Sequence, residues 1–129
     1  MSESESNRKS TGYQDLIAWQ KAMTLIDCVY ALTDRWPGHE TFGLRSQIRR
    51  AVVSVAANIA EGQGRNGRKE FHQHLGIAYG SLCEVETMIQ VGFRQKYHDD
   101  NANTASLALC TEVGRLVRGL RIAIQSPPP

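Results

Sequence analysis

The feature that most constrains this chain is the return of apolar side chains every third or fourth residue along four separate stretches. In the most regular of them Phe71, Leu75, Ala78, Leu82, Val85 and Ile89 are separated by steps of 4, 3, 4, 3 and 4, the spacing of a seam between packed helices. Leu44, Ile48, Val52, Val55 and Ile59 repeat in the same way, and the alanines between Ala51 and Ala60 let a neighbouring helix come close. The valines there would also suit a strand, but a period held over about four turns, together with the helix preference of alanine, decides for helix. The first stretch carries two stripes side by side, Leu16, Trp19, Met23, Ile26 and Tyr30 beside Leu25, Val29, Leu32 and Trp36, which implies burial on more than one side. The last presents Leu109, Val113, Leu116, Leu120 and Ile124.

Stop signals divide these stretches. Pro37-Gly38 ends the first, the loop Gly62 to Gly67 separates the second from the third, and a turn around His98 to Asn103 precedes the fourth. Asp15 and Asn66 are the expected N-caps of the first and third helices. Short connections between long helices favour antiparallel neighbours, so the expected fold is all-α, an up-down-up-down four-helix bundle over residues 13–125. Residues 1–12 are polar and residues 126–129 are Pro-rich, and both are expected to be flexible ends. A chain of 129 residues suits one domain. No apolar run approaches the length of a membrane span and no apolar signal core precedes the bundle, so a cytoplasmic location is expected. The three cysteines, Cys28, Cys83 and Cys110, form no CxxC pair, fit a reducing compartment, and are read as small buried hydrophobes.

Charge is unevenly placed. From Arg45 to Lys69 six bases, Arg45, Arg49, Arg50, Arg65, Arg68 and Lys69, face one acid, Glu61, whereas Tyr13 to Glu40 holds two bases against four acids. Arg115, Arg118 and Arg121 add a basic ridge on the fourth helix, partly offset if Glu112 pairs with Arg115. With Arg45, Arg49, Arg65, Arg68 and Lys69, the ridge residues Arg115 and Arg118 could form a phosphate-tracking surface, although few aromatics accompany them to stack bases, and a solvated helix face is the other reading.

The segment Gly62-Gln63-Gly64-Arg65-Asn66-Gly67 spells GxGxxG, but a dinucleotide fingerprint needs a strand before it and a βαβ unit around it, so a helix end and flexible loop are the reading here. A polar stripe, Gln47, Arg50, Ser54, Asn58 and Glu61, runs along one flank of the second helix. Ser81 and Glu84 share a second face of the third with Ile77, Met88 and Val91. Asn58, Glu61 and Glu84 could serve metal or acid/base chemistry, yet no Glu-x-x-His pattern joins them. Arg50, Ser54, Asn58, Glu61, Ser81 and Glu84 are read instead as a structural polar network or subunit contact. His39, His72, His74 and His98 lack ligand spacing and are expected to face solvent or cap helices; no catalytic residue, metal or cofactor is assigned.

The order LxxWQKAMxLxxxVYxLT from Leu16, FGLRSQIRRAVVSVAANIAEGQGR from Phe42 and EFHQHLGIAYGSLCEVET from Glu70 resembles the four-helix-bundle proteins encoded within 23S rRNA intervening sequences, over residues 13–125. More remotely, the chain is similar to the accessory variability proteins of diversity-generating retroelements, basic pentamers that bind nucleic acid and a reverse transcriptase. The resemblance implies a four-helix bundle assembled into a ring-like homopentamer, with an unassigned biochemical role. The functional expectation is a non-enzymatic homo-oligomer that binds RNA or another nucleic acid through its arginine-rich surfaces. The alternative is a protein-interaction scaffold without nucleic acid.

Overall fold

The computed structural model describes residues 12–64 and 67–125. They form four long α-helices, α1 (Ile17–Asp34), α2 (Leu44–Gly64), α3 (Arg68–Arg94) and α4 (Asp100–Gln125), with short 3-10 turns at Tyr13–Asp15 and Gly38–Glu40. No strand occurs among the described residues, so Val52 to Ile59 is helical as its period requires. The expected N-cap Asn66, the polar N-terminal residues and the Pro-rich end lie outside the described residues.

Each helix packs on two others in a closed circuit, α1 on α2, α2 on α3, α3 on α4 and α4 on α1. Named contacts set the directions. Arg45 meets Trp36 where Arg49 meets Thr33, and Ser54 meets Ser81 where Asn58 meets His74. Gly114 lies against Leu82 where Gly76 lies under Arg121, and Lys21 pairs with Glu112 while Leu32 and Ala102 line one groove. Across every pair numbers rise on one helix as they fall on the other, which is the antiparallel arrangement.

The core follows the two central periodic patterns closely. Ile48, Val52, Val55 and Ile59 of α2 and Leu75, Ala78, Leu82, Val85 and Ile89 of α3 are all buried. On α1 only one of the two stripes is central: Leu25, Val29 and Leu32 are buried with Ala18 and Ala22, while Met23 and Tyr30 of the other stripe are exposed. On α4 the centre is Ser106, Cys110, Val113 and Val117, and the large Leu109, Leu116, Leu120 and Ile124 pack around its margin.

The helix ends are built differently from the sequence expectation at three places. Asp15 does not cap α1; it lies in the preceding 3-10 turn, and Leu16 occupies the N-cap without a side-chain bond. Glu40 reaches forward instead, its Oε1 accepting the Leu44 N–H at 2.9 Å to start α2. The third turn is shorter than expected, since α4 already begins at Asp100, capped by Asp99 Oδ1 accepting the Ala102 N–H at 2.8 Å. Gly62 and Gly64 also belong to α2 and not to a loop. Gly62 is buried where α2 crosses α3, and a Cβ on it would lie 2.7 Å from the Cβ of His74, so glycine there permits close helix contact.

Candidate nucleic-acid interface and polar seam

The candidate cations fall into two groups. Arg45 and Arg49 are spent on the fold: Arg45 Nη2 donates to the carbonyl of Trp36, just past the end of α1. Arg49 Nε donates to Thr33 Oγ1 at 2.9 Å, and its Nη2 donates to the Tyr30 carbonyl at 3.2 Å and to Asp34 Oδ1 at 3.0 Å. The Arg49 guanidinium also lies 4.3 Å from the Tyr30 ring centre. Thr33 is itself buried and returns its hydroxyl hydrogen to the Val29 carbonyl at 2.7 Å. Both arginines therefore satisfy the free carbonyls and negative dipole at the C-terminal end of α1.

The second group lies along α3 and α4. Arg68 and Lys69 are exposed at the start of α3, with Arg68 Nε donating to the Ile124 carbonyl at 3.0 Å, and Arg115 and Arg118 are exposed on α4. The Arg118 guanidinium stands 6.0 Å from the centre of the Tyr79 ring. Arg121, half-buried, lies over Gly76, where a Cβ would come within 3.1 Å of its Nη2. Glu112 does not pair with Arg115 as expected; it meets Lys21 of α1 at 3.3 Å, leaving the ridge undiluted on that side. Between α3 and α4 this face holds a groove of about 450 Å³ whose walls include Tyr79, Glu86, Arg115, Arg118 and Ile122. Arg65 lies outside the described residues.

The polar stripe of α2 meets α3 in a continuous relay. His74 Nδ1 lies 3.0 Å from Asn58 Oδ1, Asn58 Nδ2 donates to Ser54 Oγ at 3.1 Å and to the Ser54 carbonyl at 2.9 Å, and the Ser54 and Ser81 hydroxyls are 2.9 Å apart. Because Asn58 Oδ1 can only accept, His74 Nδ1 carries the hydrogen. Ser81 is buried, whereas Arg50 and Glu84 are exposed across a polar groove of about 480 Å³ that also includes Gln47. Neither Arg50 nor Glu84 forms an ion pair within the described residues. Glu61 is exposed near the end of α2. The expected shared face of α3 divides, with Ser81 and Met88 turned inward and Ile77, Glu84 and Val91 outward.

Sequence reasoning did not find the cluster that joins the two turns at one end of the bundle. Glu40 Oε2 accepts from the Tyr97 hydroxyl at 2.9 Å, and His39 Nε2 lies 3.3 Å from that oxygen. The Leu44 N–H and the Tyr97 hydroxyl together hold the Glu40 carboxyl below its ordinary range, and the same bond raises the Tyr97 phenol. Beside it the buried Trp36 indole donates to His98 Nδ1 at 3.1 Å, which places the other hydrogen on Nε2, 3.0 Å from Asn103 Oδ1. His74 and His98 are thus half-buried network members and not the solvent-facing or capping groups expected. No sequence signal links positions nearly sixty residues apart.

Cys110 is fully buried and its thiol is pushed up to about 12, chiefly by desolvation, with the Glu86 carboxylate adding to it; burial also raises Cys28. Cys83 is exposed, contrary to expectation, because it falls on the outer side of α3. Among the described residues no group of His, Cys, Asp or Glu could hold a metal ion, and no helix is long and apolar enough to cross a membrane.

The family described as 23S rRNA-intervening sequence protein matches residues 14–119. A crystal structure of a protein with unknown function from the S23 ribosomal protein family of Bacteroides thetaiotaomicron shares 22% identity, covering 85% of this chain and 96% of that one, with a TM-score of 0.74. At that identity the likeness shows the fold alone. No curated protein matches the chain.

Proposed function

We propose, since this chain belongs to the 23S rRNA-intervening sequence protein family, that it is a cytoplasmic, non-enzymatic, homo-oligomeric bundle that binds RNA through the α3–α4 face. The observation that carries this reading is the division among the arginines. Arg45 and Arg49 are engaged at the end of α1, whereas Arg115 and Arg118 are exposed in register along α4, with Arg68 and Lys69 at the same end of α3 as the close of α4. Exposed cations without acidic partners are what phosphate neutralisation and counterion release require.

Assembly of several copies is supported by Arg50 and Glu84 across the α2–α3 groove, neither in an ion pair among the described residues, and by the exposed Ile77 and Val91 on the same side of α3. Repeating one weakly charged face several times raises its avidity for a polyanion without any new contact. The test is light scattering joined to ultraviolet crosslinking of the purified protein to cellular RNA. The expected result is an assembled mass well above the 14.4 kDa chain, with RNA recovered in the crosslinked material. A monomer, or an absence of crosslinked RNA, contradicts the corresponding half of the reading.

A scaffold without nucleic acid is the second reading, and Phe42 favours it. This side chain is 95% exposed beside a groove of about 740 Å³ between α1 and α2. An isolated aromatic so fully in water suits a protein contact. Phe42→Ser that abolishes a protein partner in pull-downs, in a protein that retains no RNA, would select this reading.

A further inference from the structure

The α3–α4 groove is more than a row of cations. From α3 it takes Tyr79, Leu82 and Glu86, at steps of three and four and therefore on one face, and from α4 it takes Ile122, Arg118, Arg115 and Thr111 running the opposite way. One end thus pairs an aromatic with a guanidinium, the middle is floored by Leu82, and the far end holds a carboxylate. Two glycines of α4 keep it open. A Cβ at Gly114 would press to 3.2 Å from Leu82 Cδ2, and the space beside Gly119 is empty to 4 Å.

The spacing between Tyr79 and Arg118 is the informative quantity. The Arg118 guanidinium carbon lies 6.0 Å from the Tyr79 ring centre, at the outer limit of a cation–π contact. A planar base between them needs about 7 Å between the ring and the guanidinium plane, so the flexible Arg118 side chain has to swing outward to admit it. Bases stack in this way on aromatic rings and on arginine planes in single-stranded RNA recognition, and cannot do so while paired in a duplex.

The opposite end bears on which base fits. Glu86 lies about 10 Å along the helix from Tyr79, two turns on in the wall of the same groove, and its carboxylate acts on the Cys110 thiol that also lines it. Glu86 forms no ion pair among the described residues. An ionised carboxylate only accepts hydrogen bonds, so it favours a base edge made of N–H donors and disfavours one made of carbonyls. Guanine presents adjacent N–H and NH2 donors on its pairing edge; uracil presents two carbonyls around a single N–H.

We infer that the groove takes one unpaired nucleotide of an RNA strand, its base slotted between Tyr79 and Arg118, its phosphate on Arg115 and its donor edge met by Glu86, with guanine preferred over uracil. This deepens the RNA-binding reading and rests on it. The test is fluorescence anisotropy with labelled UUGUU and UUUUU pentamers on the full chain. Tyr79→Ala is expected to weaken UUGUU binding on the order of tenfold, while Tyr79→Phe keeps it. Glu86→Gln is expected to bring UUGUU and UUUUU to equal affinity.

Tyr79 is half-buried, so Gly119→Leu supplies a variant that leaves the core untouched. The added side chain enters open space, improves helix propensity and closes the groove, and should reduce UUGUU binding as strongly as Tyr79→Ala. Unchanged UUGUU binding in Gly119→Leu, or a duplex that competes as well as the pentamer, overturns the inference. If Arg115→Glu still abolishes binding in that case, the phosphate reading stands alone. A wild-type protein that binds no RNA overturns both.

Discussion

The indole of Trp36 lies directly against the backbone of Gly92, so close that a Cβ on Gly92 would come within 3.0 Å of Cε2 and Cη2. Trp36 is buried, stacks near the His98 ring with centroids 5.9 Å apart, and cannot retreat without losing its bond to His98 Nδ1. Gly92→Ala should therefore destabilise the bundle by overpacking, by about 1–3 kcal/mol. Urea unfolding checks it; a neutral or stabilising effect, as expected for an ordinary helical glycine, would contradict the contact.

Lys96 should act in the opposite sense. It has φ of 67°, and the bonds from Lys96 N–H to the Phe93 carbonyl at 2.9 Å and from Tyr97 N–H to the Gly92 carbonyl at 2.8 Å close α3 in the Schellman pattern, with lysine where glycine is usual. Relief of the left-handed conformation in Lys96→Gly should raise stability by about 1 kcal/mol. The change would appear as a higher urea midpoint with an unaltered slope.

Ser54 and Ser81 provide the test of the polar seam. A double-mutant cycle of Ser54→Ala and Ser81→Ala should give a coupling of about 0.5–1.5 kcal/mol, since the two hydroxyls are each other's partners at 2.9 Å. Asn58→Leu should cost more, about 1–3 kcal/mol, because it leaves the half-buried His74 Nδ1 without its partner and removes the bonds to Ser54. Additive serine effects would mean that the hydroxyl pair contributes nothing.

The Glu40–Tyr97 latch carries a pH signature. With the Glu40 carboxyl held low in the folded chain, its contribution is complete above the ordinary unfolded value of about 4.3 and is lost as pH falls through the lowered folded value. Tyr97, raised by the same bond, contributes fully below about 10 and loses that contribution as pH rises through its raised folded value. Glu40→Gln should remove part of the acid-side decline in stability measured by urea unfolding from neutral pH downward. An identical acid limb in wild type and variant would contradict the latch.

These residues show where the chain was legible. The four helices and the buried rows of α2 and α3 follow from spacing alone, because each depends on which side of one cylinder a residue occupies, whereas the bond from Ser54 to Ser81 depends on how two cylinders meet. On α4 hydrophobic spacing places Val113 at the centre as found but favours the large leucines beside it, whereas the buried row also takes Ser106, Cys110 and Val117. The turn cluster of Glu40, Tyr97, Trp36 and His98 depends on two loops meeting, and no local period encodes that. Charge count grouped Arg45 and Arg49 with Arg115 and Arg118; only the partner carbonyls at the end of α1 separate them.

That separation leads to the most direct measurement. Arg49→Met should destabilise the fold by about 1–3 kcal/mol, through the lost bonds to Thr33 and Asp34. Arg115→Gln with Arg118→Gln, both on exposed positions, should leave stability within about 0.5 kcal/mol. The decisive experiment is the affinity of wild type and this double variant for single-stranded RNA across a range of salt concentrations. The logarithm of the wild-type binding constant should fall linearly with the logarithm of salt, and the double variant should bind more weakly with a slope shallower by about 1.4, two phosphate contacts fewer. Equal affinity and equal slope in the two proteins would contradict the α3–α4 face as the site of binding.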